Sequence, residues 1–520
     1  MDTSLQLRPV RVPFTRGAAW GLPAAVALVV AGAQLWLVAR AGTDIPFGDQ
    51  WGVEGRWLYP AWGAGTLRFT DLLRAHNEHR ILWTHLLNLG LYAINGQWDP
   101  LVSMVAVVGL RAACAGGLAA ALISGWGRTG RWLLAAGVTC AFLPLLAWHS
   151  VLWGFESPVY FCLGLSLLAL GWLGREPMSA GRWAAGLAAG VAAQCGMGAG
   201  ALVPVALVGL VATTRAVPQR PPPARRALVA AAVLLFALAA GLHVSVPAEA
   251  ELRAASVPQF LSVAGRCLAW PYPGNPWVAL AVNLPLGITV WLRLAGRRTP
   301  RPGENLALAL GFFAVAVCLA EAWVRGGGPE LATGIPSRYA DFHVILPIAN
   351  AWCLAAILPE VGSRWRQLAW LAASAWGVVL VLGWLALSAA MWRGVIRPRM
   401  ADREAPVRLV QTFQVSGDGR VFEGQPRLYV PSPDLTLVRQ VLADPRMSGK
   451  LPPSLQAGRP LGPLSTLVRW LLRAATAEFW GALGLALLLA GWDGWSSRII
   501  RAGARANTCL AEADRPGFIP

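Results

Sequence analysis

Long apolar runs constrain this chain more than any other feature, because about twenty consecutive apolar residues cross the hydrocarbon core of a bilayer as one helix. About twelve such runs lie near 19–40, 101–123, 132–152, 157–174, 183–197, 198–214, 227–246, 276–293, 305–324, 340–358, 367–391 and 466–491. The fifth and sixth are short and are separated only by a glycine-rich stretch at 196–200, which predicts a broken pair. We therefore predict an all-α integral membrane protein with about twelve transmembrane helices. The short apolar segment 81–96 predicts a helix that lies along the interface or dips into it.

The composition excludes the main classes of soluble protein. Hydrophobic residues make up 56% of the 520 residues and charged residues 13%, about half the usual charged share of a soluble domain. So few charges cannot cover a globule of this size with a solvated surface, which excludes a cytosolic enzyme, a secreted module and a disordered scaffold. The eight cysteines form no CxxC pair, so their spacing indicates neither a disulfide framework nor a zinc site. The first run lacks a small-residue cleavage site and predicts a retained span.

The basic residues orient the predicted helices. The net charge of +18 comes from 44 basic and 26 acidic residues, and the arginines lie mainly in short connections, where they act as topogenic signals and do not indicate nucleic acid. Their groups lie at 8–16, 128–131, 175–182, 215–226, 297–301, 364–366 and 498–505. With twelve spans all of these groups fall on one side, so we expect both termini in the cytoplasm. The arginine- and alanine-rich composition suggests a bacterium, and we expect a multi-pass protein of its inner membrane.

Four longer segments then fall on the external side, at 41–100, 247–275, 325–339 and 392–465. We divide the chain into a transmembrane core at 1–391 with its external loop 41–100, an external loop or small cap at 392–465, and a last transmembrane helix with a cytoplasmic tail at 466–520. Within the cap, the sequence predicts a short strand at 427–430 and a helix at 435–442.

The first external loop is the richest polar stretch. It contains Asp44, Asp49, Glu78 and the histidines His76 and His79, residue types that general acid–base chemistry requires. Simpler roles remain open for each. Asp44 precedes Ile-Pro and suits a turn or helix cap. The two histidines, spaced i and i+3, would share one face of a helix as metal ligands, although the spacing fixes no third ligand.

Several motifs resemble the GT-C class of integral-membrane glycosyltransferases, in particular a bacterial branch with an Asp-Gln-Trp loop. The matching segments are Asp-Gln-Trp at 49–51, His-Asn-Glu-His-Arg at 76–80, Asn-Gly-Gln-Trp at 95–98, Trp-Gly-Phe-Glu at 153–156 and Ser-Arg-Tyr at 337–339. The similarity extends over most of the chain as far as 358 and is weaker at 392–465. The resemblance implies a sugar donor carried on a polyprenyl phosphate, a lipid or glycan acceptor, surrounding membrane lipids and no nucleic acid as partner.

The resemblance also implies roles for individual residues. A first-loop aspartate is the base in this class, which by position is Asp49, and we place Glu78 and His79 beside it as catalytic residues. Inversion at the anomeric carbon would follow from one displacement. The predicted substrate-binding residues are Asp44, His76, Arg80, Trp153, Glu156, Glu321, Arg325, Arg338 and Tyr339. No cofactor or metal site is assigned, and a divalent cation remains open.

Alternatives remain for the charged residues in or near the spans. Arg80, Arg325 and Arg338 suit a lipid phosphate, because the planar guanidinium matches phosphate oxygens, but Arg325 and Arg338 also suit positional anchors. Arg111 and Glu321 lie within apolar runs, where they pair with each other or with backbone carbonyls, or line the lipid-phosphate or acceptor cavity. A transporter or flippase for a lipid-linked or amphipathic substrate is the competing function, followed by a non-catalytic assembly subunit.

Overall fold

A computed structural model describes residues 20–143, 145–175, 177–214, 222–297, 300–456, 458–476 and 479–486. The arginines at 8–16 and 498–505, together with Arg215, Arg220, Arg298 and the end of the last apolar run, lie outside these ranges. The orientation that those arginines predict is therefore not tested there.

The described chain is helical almost throughout. The main α-helices are α1 Gly21–Ala41, α2 Leu82–Asn95, α3 Pro100–Leu122, α4 Arg128–Phe142, α5 Ser157–Leu173, α6 Ala180–Gln194, α7 Val203–Thr214, α8 Pro222–Leu242, α9 Val257–Leu268, α10 Val278–Leu294, α11 Glu304–Arg325, α12 Ile345–Ile357, α13 Arg366–Met391, α14 Ala405–Ser416, α15 Leu435–Ala443 and α16 Pro463–Arg473. Shorter helices are Tyr59–Gly63, Phe69–Leu72, Trp148–Leu152, Pro247–Ala250, Pro329–Thr333, Ala340–His343 and Arg397–Ala401, with π-helical turns at Trp51–Leu58 and Trp392–Ile396. Two strands, β1 Ala75–His76 and β2 His79–Arg80, form an antiparallel hairpin.

Six helices within the described ranges are long and apolar enough to cross a membrane. They are Gly21–Ala41, Pro100–Leu122, Ala224–Leu242, Glu304–Arg325, Ser337–Glu360 and Ser363–Ala401. Three shorter apolar helices accompany them, at Ser157–Leu173, Gly198–Thr213 and Val278–Leu294. The structure therefore agrees with the predicted all-α class and with helices that can cross a membrane. The predicted number of twelve spans is not confirmed.

Small residues bring the core helices close together. A Cβ on Gly116 of α3 would lie 3.0 Å from both the Ala27 Cβ and the Pro23 carbonyl oxygen of α1, so this approach needs glycine. The predicted break between the fifth and sixth runs is also present. Helix α6 ends at Gln194, a 3₁₀ turn occupies Gly198–Leu202, and α7 follows directly.

A buried ion pair joins two of these core helices. The Arg111 guanidinium donates from Nε to Asp341 Oδ2 at 2.7 Å and from Nη2 to Oδ1 at 2.9 Å, and the Tyr160 hydroxyl donates to the same carboxylate at 2.7 Å. Arg111 and Asp341 are each 1% exposed. The alternative that Arg111 pairs with Glu321 is therefore wrong, because Arg111 pairs with Asp341, which lies in the short helix Ala340–His343.

The segment 392–465 packs onto the first loop, 41–100. Its helix α15 confirms the predicted helix, and Asp434 caps it by accepting a hydrogen bond from the Leu437 N–H. The predicted strand at 427–430 is wrong, because Arg427–Tyr429 form a 3₁₀ turn directly after Pro426 and do not pair with another strand among the described residues. One apolar cluster joins this segment to the first loop, and it includes Trp51, Trp98, Val410, Phe413 and Val438.

Candidate functional site

The β-hairpin at 75–80 positions most of the predicted catalytic residues. Its register places His76 directly opposite His79, and its turn holds Asn77, whose φ of 50° lies in the left-handed region that asparagine tolerates. Glu78 is the second turn residue. The expectation that His76 and His79 share a helical face is wrong, because their spacing equally fits a two-residue hairpin, in which cross-strand partners lie on the same face.

Asp49 lies on one side of this hairpin, next to His76. Its Oδ2 is 3.3 Å from His76 Nε2, and the carboxylate side chain is 43% exposed. The preceding Gly48 has a φ of 55° and lies so close to Trp153 that a Cβ would be 2.9 Å from the indole Cζ2. Glycine at this position therefore allows the loop to turn tightly and to present Asp49 beside the tryptophan.

Trp153 and Glu156 lie near Asp49. The Trp153 indole donates to the Phe47 carbonyl oxygen at 2.6 Å, and its ring meets the Phe47 ring edge-on at 5.7 Å. The Glu156 carboxylate lies 3.9 Å from His149 Nδ1. The pKa of Glu156 is raised to about 8, chiefly by burial; the charge of Arg338 opposes the rise and the negative charge of Asp49 contributes to it. Glu156 is thus an acid that holds its proton near neutral pH.

Glu78 contacts Arg325, and His79 lies next to Glu78. Glu78 Oε1 lies 2.5 Å from Arg325 Nη2 and 3.6 Å from His79 Nε2. His79 Nδ1 accepts a hydrogen bond from the Gly198 N–H at 3.2 Å, which leaves Nε2 to carry the proton of the neutral ring. Burial lowers the pKa of His79, and although burial opposes ionisation of Glu78, His79 and Arg325 hold the pKa of that carboxyl below its ordinary value.

A cavity of about 280 Å³ opens beside this second group. Its ionisable lining residues are Glu78, His79, Arg80, His243, Arg253, Glu321 and Arg325. Its apolar wall includes Leu202 of the 3₁₀ turn, Leu242 of α8, Val317 and Val324 of α11, and Phe342. Tyr339 also lines it, and its ring lies 4.8 Å from the Arg338 guanidinium. The cavity therefore combines an apolar wall from membrane-spanning helices with a rim of fixed positive charge.

The predicted residues are thus brought together in two groups of contacts around one hairpin. Asp49, His76, Trp153 and Glu156 form the first group, which is not part of the cavity lining. Glu78, His79, Arg80, Glu321, Arg325 and Tyr339 form the second. Arg338 lies between them, since it pairs with Glu330 and its charge acts on Glu156.

Asp44 contacts neither group. Its carboxylate is 3.0 Å from both the Ser454 N–H and Arg469 Nη2, and Arg469 also pairs with Asp99. Burial and the neighbouring Asp99 raise the pKa of Asp44. These contacts connect α16 and the segment before it to the start of the first loop. They do not support the prediction that Asp44 binds substrate.

Four ionisable residues of the site region were not among the predicted site residues. Glu54 is completely buried under the segment 392–465, His149 contacts Glu156, and His343 contacts Glu321, while Asp341 neutralises Arg111. Three of them (His149, Asp341 and His343) lie inside predicted apolar runs, where an ionisable residue is itself a signal of function or pairing. That signal was available from the sequence alone.

One group of potential metal ligands occurs among the described residues. Side-chain atoms of Cys267, Glu321 and His343 lie within 4.8 Å of one another. The three residues come from α9, α11 and the short helix Ala340–His343, and Glu321 connects the group to the cavity.

Comparisons of this chain with protein-family models, with curated proteins and with solved structures found no match. The function of this chain is therefore inferred from the two groups of residues and the cavity.

Proposed function

We propose that this protein is a membrane glycosyltransferase that moves a sugar from a polyprenyl-phosphate donor to a cell-envelope acceptor on the external face of a bacterial inner membrane. The proposal includes about twelve transmembrane helices and two cytoplasmic termini. One observation carries the proposal. A cavity with an apolar wall and basic lining residues lies beside the hairpin whose His76 contacts Asp49.

The cavity suits the lipid-linked donor. An isoprenoid tail requires apolar contact, which the side chains of α8 and α11 supply, and a phosphate requires fixed positive charge, which Arg80, Arg253 and Arg325 supply at the rim. Glu78 holds the Arg325 guanidinium at 2.5 Å and thereby fixes its direction. The arginines then stabilise the departing phosphate, and their side chains do not have to reorganise first.

The group of residues around Asp49 suits the acceptor. Asp49 would take the proton of the acceptor hydroxyl, whose oxygen attacks the anomeric carbon. The bond from that carbon to the phosphate oxygen breaks, and the lipid phosphate leaves with the electron pair. His76, 3.3 Å from Asp49, would orient the carboxylate, and Trp153 offers an aromatic face to a sugar ring.

Replacement of Asp49 by asparagine tests the proposal. The purified Asp49→Asn variant and the wild type are incubated with polyprenyl-phosphate sugars, and release of the free lipid phosphate is followed. Loss of a general base lowers the turnover rate by about 100-fold or more. The matched control is Asp402→Asn, because Asp402 is 48% exposed and pairs with a basic residue, Arg408, in the segment 392–465.

Equal turnover by wild type and Asp49→Asn would assign the base to another residue, and no turnover by either protein would contradict the enzyme. The competing transporter is favoured by the break between α6 and α7 and by Glu321 within a membrane-spanning helix, since transporter sites use broken helices and intramembrane charges. Translocation of the lipid-linked sugar across reconstituted vesicles without bond cleavage would establish that function instead.

A further inference from the structure

Three potential metal ligands converge from separate elements behind the cavity. Cys267 lies one residue before the end of α9, Glu321 lies one turn before the end of α11, and His343 ends a short helix. One side-chain atom from each lies within 4.8 Å of the other two. Zinc–ligand bonds of about 2.0–2.3 Å place the ligand atoms of a tetrahedral site between three and four ångströms apart, so small side-chain movements would bring all three onto one ion.

His343 is already oriented as a metal ligand. Its Nδ1 lies 3.3 Å from the Cys267 carbonyl oxygen, and its Nε2 points to Glu321 Oε2 at 2.7 Å. A histidine that binds a metal through one ring nitrogen usually donates the N–H of the other nitrogen to a backbone carbonyl or carboxylate, which fixes the tautomer. The carbonyl of Cys267 therefore suits a ring that carries a proton on Nδ1, with Nε2 facing the carboxylate and one proton shared between Nε2 and Oε2 in the metal-free protein.

We propose that Cys267, Glu321 and His343 form a binding site for Zn²⁺ or a similar borderline-soft divalent ion. The thiolate Sγ, one carboxylate oxygen and Nε2 are the donor types that zinc prefers. Binding replaces the hydrogen bond between Glu321 and His343 by two metal–ligand bonds. The proton of that hydrogen bond and the thiol proton of Cys267 both pass to solvent as the bonds to the metal form. Oxygen-preferring Mg²⁺ and Ca²⁺ do not suit a site with a thiolate and an imidazole.

Of the three proposed ligands, Glu321 is the one that lines the cavity, so an open fourth position would be reached from there. Cys267 and His343 are almost completely buried, whereas the Glu321 side chain is 13% exposed and lines the cavity. Three protein ligands with one open position are typical of zinc sites that bind water or an anion. The ion would therefore enter through the cavity and place a positive charge at its inner wall. This site stands independently of the proposed transferase activity, because metal content is measured without any donor or acceptor.

The test measures bound metal in the full-length protein, purified in detergent. After loading with Zn²⁺ and desalting, elemental analysis is expected to give about one zinc ion per chain for the wild type and almost none for Cys267→Ser. The matched control is Cys140→Ser, because Cys140 is an exposed cysteine on α4 and belongs to no potential ligand group among the described residues. We expect this control to bind zinc as the wild type does.

Cobalt replacement identifies the ligands directly. The Co²⁺-loaded wild type is expected to show the near-ultraviolet charge-transfer band of a cobalt–thiolate bond and the strong visible bands of tetrahedral coordination. Glu321→Gln, whose side chain has almost the same shape, is expected to bind Co²⁺ at least about tenfold more weakly. Size-exclusion profiles establish that each variant remains folded.

Three results would overturn the site. The first is a wild type with no more zinc than Cys267→Ser, and the second is a cobalt spectrum that lacks the thiolate band. The third is full zinc occupancy in both Cys267→Ser and Glu321→Gln, which would show that the bound metal lies elsewhere. In any of these cases the contact between Glu321 and His343 is a hydrogen bond that stabilises the packing of α11.

Discussion

The buried Glu54 carboxylate makes stability depend on pH in a direction that a single substitution can reveal. Its Oε2 accepts hydrogen bonds from Gln50 Nε2 at 3.1 Å and Trp98 Nε1 at 2.7 Å, and its Oε1 accepts one from Asn88 Nδ2 at 2.7 Å. Complete burial nevertheless raises the pKa of Glu54 from 4.5 to about 7, and these hydrogen bonds only partly oppose the rise. The folded protein therefore retains this proton to higher pH than the unfolded chain does.

The size of the effect follows from that difference in pKa. Below pH 4.5 the carboxyl is protonated in both states, so its titration does not change the free energy of unfolding. Between pH 4.5 and about 7 the unfolded chain ionises first, so the folded state loses about 3 kcal/mol of stability relative to the unfolded state. Above that range both states are ionised and the loss is complete.

We expect Glu54→Gln to remove this loss. The amide oxygen takes the place of Oε2 and the amide nitrogen that of Oε1. The buried Oδ1 of Asn88 accepts no hydrogen bond from any described residue, so rotation of the Asn88 amide lets it accept one from the new nitrogen. The variant should then be about 3 kcal/mol more stable than the wild type above pH 8, and similar to it below pH 4.5.

The assay is chemical unfolding in detergent micelles between pH 4 and pH 9, compared between wild type and variant so that the titration of other groups cancels. Glu404→Gln is the control, because Glu404 is 55% exposed and the substitution should leave the pH profile unchanged. Parallel profiles for wild type and Glu54→Gln would refute the reasoning, since they would mean that Glu54 titrates alike in the folded and unfolded chain.

Two ion pairs lead to further predictions. Arg111→Leu leaves the Asp341 carboxylate buried without its cation, and we expect a loss of about 3–5 kcal/mol in the free energy of unfolding, measured in the same assay. A loss below about 1 kcal/mol would contradict the pairing. Arg469→Gln removes the cation shared by Asp44 and Asp99, and we expect faster proteolytic cleavage at 440–462 without cleavage in the core. Unchanged cleavage there would mean that the apolar contacts alone hold this segment.

The helical membrane class could be predicted because it depends on local composition, and local patterns also gave α2, α15 and the break after Gln194. The hairpin at 75–80 could not be predicted in this way. Strands of two residues are too short to show an alternating pattern, and the spacing of His76 and His79 fits both a helix and a hairpin.

The pairing of distant residues was the other part that a single sequence could not supply. Arg111 meets Asp341 and Glu321 meets His343 because helices pack side by side, and no local pattern specifies which residue each one meets. Glu54 looked like an ordinary loop residue, since the segment that buries it begins 338 residues later, at residue 392. For the same reason the sequence predicts Glu78 and His79 beside Asp49, whereas in the structure Glu78 contacts Arg325 and Asp49 contacts His76.

The fastening of the first loop by Arg469 has a consequence for biogenesis. Arg469 contacts Asp44 across 425 residues of chain, and Ser465 contacts Asn95 across 370. A ribosome must therefore synthesise the chain past residue 469 before this loop acquires these partners. Truncation upstream of residue 465 would leave Asp44 without Arg469 and Asn95 without Ser465.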